Sequence, residues 1–230
     1  MAANLASKVI PVAASIGEAK TGGSIMTAIE NSPPAARRPL DADRVIDAAS
    51  EIADAEGLDK LTLTRVADAL GVRQPALYRH VEGYDDLLRS LSLRGREILA
   101  QRLADAAVGL SGDDAVAAVG HAWRKMVRDH PGIYAATDRY PCAGDAELEG
   151  AVERVLGVLG QVLRGYDLTE EDRVHAARTL RSAFHGFSHL ESGDGHPLPH
   201  DPEDTFDHLV QLLCAGVHRR SRRAAGASVS

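Results

Sequence analysis

The sequence predicts an all-α fold made of a three-helix N-terminal domain of the helix-turn-helix type and a C-terminal bundle of roughly six helices. Three observations predict this fold class. Apolar residues recur at spacings of three and four along most of the chain. No segment alternates with the period of two that a strand requires. Aromatic residues make up only 4% of the chain, so the core must consist mainly of Ala, Leu and Val, which favours closely packed helices.

Composition limits the function classes. The 230 residues include 44% hydrophobic and 26% charged residues, which is ordinary for a globular protein. A formal net charge of −7 argues against coating of nucleic acid, so any DNA contact must be local. Cys142 and Cys214 lack metal-ligand spacing and are expected to be free thiols. No apolar run reaches the roughly 20 residues of a membrane span, and no secretory signal pattern begins the chain, so we expect a cytoplasmic protein without a membrane partner.

Residues 1–38 are rich in Ala, Ser, Gly and Pro and show no sustained periodicity, which predicts a disordered N-terminal arm. Arg37 and Arg38 end this arm. They either enter a DNA minor groove or form part of a solvated linker.

The first predicted helix covers Ala42–Glu56. Asp41 is placed to cap its start and Gly57 to end it. A second, short helix follows, with Thr62 or Thr64 as its cap.

Gly71 ends the second helix, and a third helix opens almost at once at Pro75, which suits a first helical turn because it lacks an N–H. Leu77 and Val81 supply its buried side. Two short helices joined by Gly71-Val72-Arg73 are a helix-turn-helix.

Six further helices are predicted beyond Gly83, and loops rich in Gly and Pro separate the later ones. Their expected ranges are Tyr84–Ala107, Asp114–Asp129, Pro131–Thr137, Ala146–Leu163, Thr169–Ser192 and Pro202–Arg220.

The segment Leu61–Val81 closely resembles the DNA-binding motif of the tetracycline-repressor (TetR) family, above all in its Gly71-Val72-x-x-x-x-Leu77-Tyr78-x-His80 core. Phe184-His185-Gly186-Phe187 and Asp204-Thr205-Phe206-Asp207 resemble a common C-terminal subtype of the same family. The resemblance implies a helix-turn-helix DNA-binding domain over 39–83, a ligand-binding and dimerisation domain over 84–220, and a disordered tail over 221–230.

The third helix carries the residues expected to recognise bases. Arg73 has the chemistry to donate two bonds to guanine, Gln74 to pair with an adenine edge, and Ala76 to touch a thymine methyl, while Pro75 adds apolar surface. Arg79 contacts either a base or a phosphate.

Other residues are expected to hold the DNA backbone. The resemblance implies phosphate contacts for Tyr78 and His80. At the start of the second helix, Thr62, Thr64 and Arg65 are placed near the backbone. Family members commonly carry a Lys at the start of the next helix; this chain does not, so Tyr84 is the substitute donor there.

An isolated pair of arginines would more often be a solvated helix face than a DNA contact. The full 21-residue pattern favours DNA binding instead. Residues 37–100 nevertheless contain 10 Lys and Arg against 12 Asp and Glu, so this region has a net charge of −2. We therefore expect modest affinity for DNA and dependence on binding as a dimer.

A bundle of this size has room for a small-molecule cavity between its helices. Its few large side chains are either the walls of such a cavity or plain core: Trp123, Met126, Tyr134, Tyr140, Phe184 and Phe187. His121, Arg124 and His185 are the candidate polar contacts to a ligand.

Ten histidines raise the question of a metal site, above all His185 and His189, which share a helical face, and His196 and His200 in the following loop. No HExxH motif accompanies them, and no nucleophile motif, P-loop or dinucleotide fingerprint occurs. We expect no metal, no cofactor and no enzymatic activity.

The last two predicted helices carry apolar faces that a monomer would leave partly uncovered. Pairing with a symmetry mate would bury them and set the two recognition helices about 34 Å apart on DNA. The family mechanism implies that a ligand tilts the helix that begins at Tyr84 and so releases the operator. We therefore expect a dimeric, ligand-responsive repressor that is nucleoid-associated when bound to a palindromic operator. An activator, or a sensor or interaction protein of the same fold that does not bind specific DNA, are the alternatives.

Overall fold

The computed structural model describes residues 39–193 and 195–227, with side chains up to residue 222. The chain divides into two units, Met1–Pro39 and Leu40–Ser230, and every helix described here lies in the second. The arm predicted over residues 1–38, including Arg37 and Arg38, lies outside the described residues.

The N-terminal helices begin and end where local chemistry dictates. Helix α1 covers Ala42–Glu56, and the Asp41 side chain caps it by accepting from the Arg44 N–H at 2.9 Å. A 3-10 turn, Leu58–Lys60, leads to α2, Leu63–Leu70, whose cap is Thr62. Gly71 ends α2 at φ 66°, a left-handed conformation that favours glycine.

The third helix of this domain is a 3-10 helix, Gln74–Arg79, which we call the recognition helix. It is shorter than the expected helix and is wound as a 3-10 helix, a form that is common in short helical segments. Leu77 is fully buried and holds this helix against α1 and α2.

The remaining helices match the predicted ones closely. They are α3 (Tyr84–Ala107), α4 (Gly112–Asp129), α5 (Pro131–Arg139), α6 (Ala146–Val162), α7 (Glu170–Ser192) and α8 (Pro202–Ala227). The described residues contain no strand, so the all-α prediction is confirmed. One expectation is wrong: α8 runs past Arg220, so residues 221–227 are helical and not part of a disordered tail.

Helix α3 belongs to both halves of the structure. Its first turns bury Leu87 and Leu91 in the core of the N-terminal domain, and its later turns bury Leu99 and Leu103 in the core of the bundle. The N-terminal domain is therefore attached to the bundle by a continuous helix.

Helix α5 packs against α1 on one side and α3 on the other. Gly132 lies so close to α1 that a Cβ built there would stand 2.0 Å from the Ala53 carbonyl carbon and oxygen. The Asp54 carboxylate caps α5 by accepting from the Ile133 N–H at 2.9 Å, and it lies 2.8 Å from His130 Nδ1. On the other side, a Cβ at Gly95 of α3 would stand 2.9 Å from Thr137 Cγ2.

Among the helices of residues 39–193 and 195–227, not one combines the length and the apolar character that a membrane span needs.

Replacement of Gly132 by Ala tests the α1–α5 contact. The added methyl would overlap the α1 backbone, which cannot rotate away as a side chain can, so we expect Gly132→Ala to lower the free energy of unfolding by about 1 to 3 kcal/mol. Urea denaturation followed by circular dichroism measures this change.

Gly157→Ala in α6 is the matched control for this experiment. Nothing lies within 4 Å of the position that its Cβ would take, so helix propensity should leave stability unchanged or raise it by up to about 1 kcal/mol. Equal stability of the two variants would contradict the close packing of α5 on α1.

Candidate nucleic-acid interface and ligand cavity

The recognition helix presents a continuous exposed face. Arg73, Pro75 and Arg79 are exposed, and Tyr78 keeps 53% of its surface accessible. Because Leu77 is buried beneath them, these side chains are held outward by core packing. Gln74, Ala76 and His80 are half-buried along the same helix.

A chain of hydrogen bonds joins α2 to the recognition helix. Thr64 Oγ1 donates to Gln74 Oε1 at 3.1 Å, and Gln74 Nε2 donates to Tyr78 Oη at 3.2 Å. These bonds fix the directions of three predicted DNA-contacting side chains before any DNA is present. The Tyr78 hydroxyl hydrogen remains available for a further acceptor, since the hydroxyl accepts in this network.

The arginines that are predicted to contact DNA differ in whether their side chains already have partners. Within the described residues, Arg73 and Arg79 make neither an ion pair nor a side-chain hydrogen bond. Arg65 is engaged: its Nη2 donates to Glu56 Oε1 at 2.5 Å and its Nη1 to the Lys60 carbonyl at 3.3 Å. The hydrogen bond from Arg65 lowers the pKa of Glu56. A phosphate contact by Arg65 would have to compete with Glu56.

The other backbone-contact candidates flank this face. The Thr62 hydroxyl accepts from the Arg65 N–H at 3.2 Å and so serves as the α2 cap. Tyr84 is 39% exposed at the first position of α3. Asp86, in the first turn of α3, accepts from the Glu82 N–H at 2.9 Å. The start of α3 thus offers a tyrosine hydroxyl but also brings carboxylates to the same end of the helix.

A cavity of about 440 Å³ lies among α3, α4, α5, α6 and α7. The residues that line it are Arg96, Leu99, Trp123, Tyr134, Thr137, Asp138, Val152, Val155, Leu156, Arg178, Arg181, Ser182 and His185.

Three of the predicted ligand contacts form one hydrogen-bonded group in this cavity. Trp123 Nε1 donates to Tyr134 Oη at 2.9 Å, and the same hydroxyl lies 2.7 Å from His185 Nδ1. Burial raises the pKa of Tyr134 above its usual range, so this side chain stays a neutral hydroxyl.

Other predicted ligand contacts lie outside the cavity lining, because their side chains are used elsewhere. Met126 and Phe184 are fully buried core residues. Arg124 is 3% exposed and donates to Glu191 at 2.6 and 2.8 Å and to Glu203 at 2.5 Å. His121 Nε2 lies 3.1 Å from Asp207 Oδ1.

Sequence reasoning missed the cations that do line the cavity, Arg96, Arg178 and Arg181. Arginine on a helix usually indicates a solvated face, and no local pattern distinguishes these three from the others. Tyr140 and Phe187, two of the proposed walls, are also absent from the lining.

The histidines do not gather as the spacing suggested. His185 and His189 stack with ring centroids 5.9 Å apart, but the group of three candidate ligands found in the described part of the chain consists of His121, Glu203 and Asp207. Glu203 in that group already accepts from Arg124.

Two family models match the chain. The model for bacterial regulatory proteins of the tetR family matches residues 45–91, which include α2 and the recognition helix. The model for the tetracyclin repressor-like C-terminal domain matches residues 116–213. A relative, the HTH-type transcriptional regulator Rv0681 of Mycobacterium tuberculosis, is 34% identical over 194 residues, which cover 82% of this chain and 87% of the relative.

Solved structures have the same fold. The transcriptional regulator SCO7222, a TetR from Streptomyces coelicolor, superposes with a TM-score of 0.63 at 19% identity, covering 80% of this chain and 100% of that one. BioQ bound to its natural double-stranded DNA operator superposes with a TM-score of 0.59 at 22% identity, covering 78% and 99%.

The matched family model and the relative identify the class of protein as helix-turn-helix transcriptional regulators, which are not enzymes. The chain belongs to the TetR family of bacterial regulators, in which repression that responds to a ligand is typical.

The hydrogen bonds from Arg124 to Glu191 and Glu203 predict a pH-dependent contribution to stability. Hydrogen bonds from Arg124 lower the pKa of Glu191, so the stabilisation is present above the unfolded carboxyl pKa and is lost as the pH falls through the folded value. We expect Glu191→Gln to lower the free energy of unfolding by about 1 to 3 kcal/mol at pH 7 and by much less near pH 3.

Denaturation at several pH values measures this difference. Glu171→Gln, on the same helix but with 88% of its side chain exposed, is the matched control and should change stability little at any pH. A Glu191→Gln deficit that stays constant as the pH falls would contradict the assignment.

Proposed function

We propose that this protein represses transcription by binding a palindromic operator as a homodimer, with each recognition helix in the major groove, and that a small molecule bound in the cavity releases it. The observation that carries the DNA-binding part is the exposed face on which Arg73 and Arg79 have no ion pair within the described residues. The fold shared with operator-bound BioQ supports this orientation of the helix.

Within this proposal, the residues of the recognition helix have separate roles in DNA binding. Arg73, Gln74 and Ala76 contact base edges, and Pro75 provides apolar surface beside them. The hydrogen bonds from Thr64 through Gln74 to Tyr78 hold these contacts in one arrangement. A Gln74 side chain that is already oriented loses less entropy when it meets an adenine.

The phosphate contacts surround this central group. Tyr78, Arg79, His80 and Tyr84 bind phosphates on one side, and Thr64 binds on the other. Arg65 joins them by exchanging Glu56 for a phosphate. Such an exchange is reasonable because the Arg65–Glu56 pair is solvent-exposed and therefore weak.

We propose that α7 and α8 form the dimer interface with their counterparts in a second copy. Val174, Leu190 and Leu212 leave large apolar surfaces exposed on these two helices. Gly186 and Gly216 have nothing within 4 Å of their Cβ positions, which leaves room for the close approach of another helix. Glycine in the middle of a helix lowers stability, and close helix packing in a dimer would explain why glycine occupies these two positions.

We propose that residues 39–83 form the DNA-binding domain and that residues 84–220 form the domain for ligand and dimer contacts, with the protein located in the cytoplasm. Two helices connect the cavity to the DNA-binding domain. α3 carries Arg96 and begins at Tyr84, and α5 carries Tyr134 and packs on α1. A ligand that shifts these helices would change the spacing of the two recognition helices, at a typical coupling of about 1 to 3 kcal/mol.

Operator binding tests the recognition helix. The wild-type protein, Arg73→Ala and Tyr78→Ala are each assayed on the intergenic DNA upstream of the gene and on a random-sequence selection pool, at two salt concentrations. We expect Arg73→Ala to cost about 1 to 3 kcal/mol on the preferred site and to relax base preference, and Tyr78→Ala to weaken binding to all sequences with a smaller change in base preference.

Arg154→Ala is the matched control, since it removes one exposed cation from α6 and should leave DNA binding unchanged. If the wild-type protein selects no sequence from the random pool, the regulator proposal fails, and a sensor that does not bind specific DNA takes its place.

Replacement of Leu212 by Glu tests the dimer. Leu212 is 59% exposed in the isolated chain, so the variant should fold, but the charge would be buried in the proposed interface. Light scattering should show a monomer, and operator binding should weaken about 100-fold or more because the two half-sites are no longer linked. The control Leu110→Glu changes an exposed leucine in the α3–α4 loop and should remain a dimer. A Leu212→Glu protein that is still dimeric would rule out this interface.

A further inference from the structure

The cavity contains a buried cation without a counter-ion. Arg96 is 8% exposed, and its guanidinium donates to the Thr137 carbonyl at 2.7 Å, to the Tyr140 carbonyl at 3.5 Å, and to the Ser92 carbonyl and hydroxyl. All of these acceptors are neutral. No carboxylate in residues 39–193 and 195–227 lies within ion-pair distance of it. Burial lowers the pKa of Arg96 from its ordinary value, which indicates that its charge is poorly solvated.

Arg124 shows how the same molecule treats a buried arginine whose role is structural. Arg124 is buried, as Arg96 is, but Glu191 and Glu203 neutralise it. A buried charge is costly unless it is paired, so the difference between the two arginines requires a reason. A counter-ion that arrives from outside the chain would account for the difference.

The charges around Arg96 are also unbalanced. Arg178 and Arg181 of α7 line the cavity, and their side chains form no ion pair or hydrogen bond with any described residue. Asp138 is the carboxylate among the lining residues, and it lies 4.0 Å from His185 Nε2. Three arginines against one aspartate give the cavity a positive field.

The lining also includes an apolar part. Leu99, Val152, Val155 and Leu156 form a hydrocarbon wall, and the Trp123 ring adds aromatic surface. An anionic group that pairs with the arginines and an apolar body that packs on these side chains would complement this lining.

We propose that the effector is an organic carboxylate with an apolar body, whose carboxylate pairs with Arg96 and is guided in by Arg181. This inference rests on the proposed function, because it assigns a ligand class to the proposed effector cavity. A planar carboxylate matches the guanidinium fork and would supply the missing negative charge.

The same contact would alter the hydrogen bonds that connect α3 to α5. Arg96 of α3 holds carbonyls at the C-terminal end of α5, and α5 packs on α1 of the DNA-binding domain. A carboxylate that accepts the Arg96 N–H groups now bonded to the Thr137 and Tyr140 carbonyls weakens the connection between α3 and α5. Ligand binding and release of DNA are then consequences of one exchange of hydrogen bonds.

The single tryptophan of the chain is a built-in reporter of this site, because Trp123 lines the cavity. The full chain is titrated with sodium octanoate, benzoate and 3-phenylpropionate, and with the corresponding neutral amides, while Trp123 fluorescence and the melting temperature are recorded. We expect at least one carboxylate to bind, and its Kd to be at least about tenfold lower than that of its amide.

Variants test which cation is responsible. We expect Arg96→Gln to weaken carboxylate binding by about tenfold or more and to reduce the preference over the amide. Because Arg96 also holds the end of α5, a second variant changes an exposed residue: Arg181→Gln should fold normally and weaken binding about threefold or more. Arg154→Gln, which removes an exposed cation outside this cavity, should bind as the wild type does.

Three results would overturn the inference: amides that bind as tightly as carboxylates, carboxylate binding that is unchanged in both Arg96→Gln and Arg181→Gln, or no response to any of the three carboxylates at millimolar concentration. Operator binding is measured in parallel without ligand. A wild-type protein that binds its operator but none of the carboxylates refutes this inference alone, and a wild-type protein that binds a carboxylate but selects no DNA refutes the proposed function alone.

Discussion

The close contact of α5 with α1 is the constraint on which the rest of the structure depends. Gly132 permits the two backbones to touch, and Asp54 then satisfies an N–H group at the start of α5, so packing and hydrogen bonding favour the same arrangement. On its opposite side α5 meets α3 at Gly95 with similarly little space. Because both contacts leave no spare room, α5 cannot move toward α1 or α3 without displacing that helix. The DNA-binding domain is thus packed directly on a helix that lines the cavity, an arrangement through which the proposed ligand could act on it.

Sequence alone predicted the parts of this structure that depend on local chemistry. Asp41 and Gly57 delimit α1 at the predicted residues because an N-cap and a C-terminal glycine act over a single turn. The motif locates the recognition helix, but it does not predict that this helix is a 3-10 helix. The start and end of a helix are local properties, whereas no local pattern in the segment distinguishes a 3-10 helix from a short α-helix.

The proposed ligand-binding residues could not be predicted from the sequence in the same way. Arg96 and Arg124 are both arginines on amphipathic helices, and nothing in their neighbours along the chain separates them. Their roles differ because carboxylates of α7 and α8 form ion pairs with Arg124, whereas the hydrogen-bond acceptors that α5 and its C-cap offer Arg96 are carbonyl oxygens. Both sets of partners are distant in sequence, so the two environments become visible only in the folded chain. The aromatic pair Trp123 and Tyr134 was found from sequence because large side chains are few, but which of them face a cavity again depended on the fold.

The charge of the DNA-binding region makes regulation by a small ligand energetically reasonable. Residues 37–100 have a net charge of −2, so nonspecific attraction to DNA is weak, and affinity must come from a few contacts, which we propose are made by Arg73, Arg79 and their neighbours in both halves of the proposed dimer. A bidentate base contact contributes about 1 to 3 kcal/mol, and a typical allosteric coupling has the same size. Misplacement of one recognition helix therefore removes an energy comparable to that of its own specific contacts. A strongly basic domain would keep much of its affinity after such a shift, whereas this one would be released.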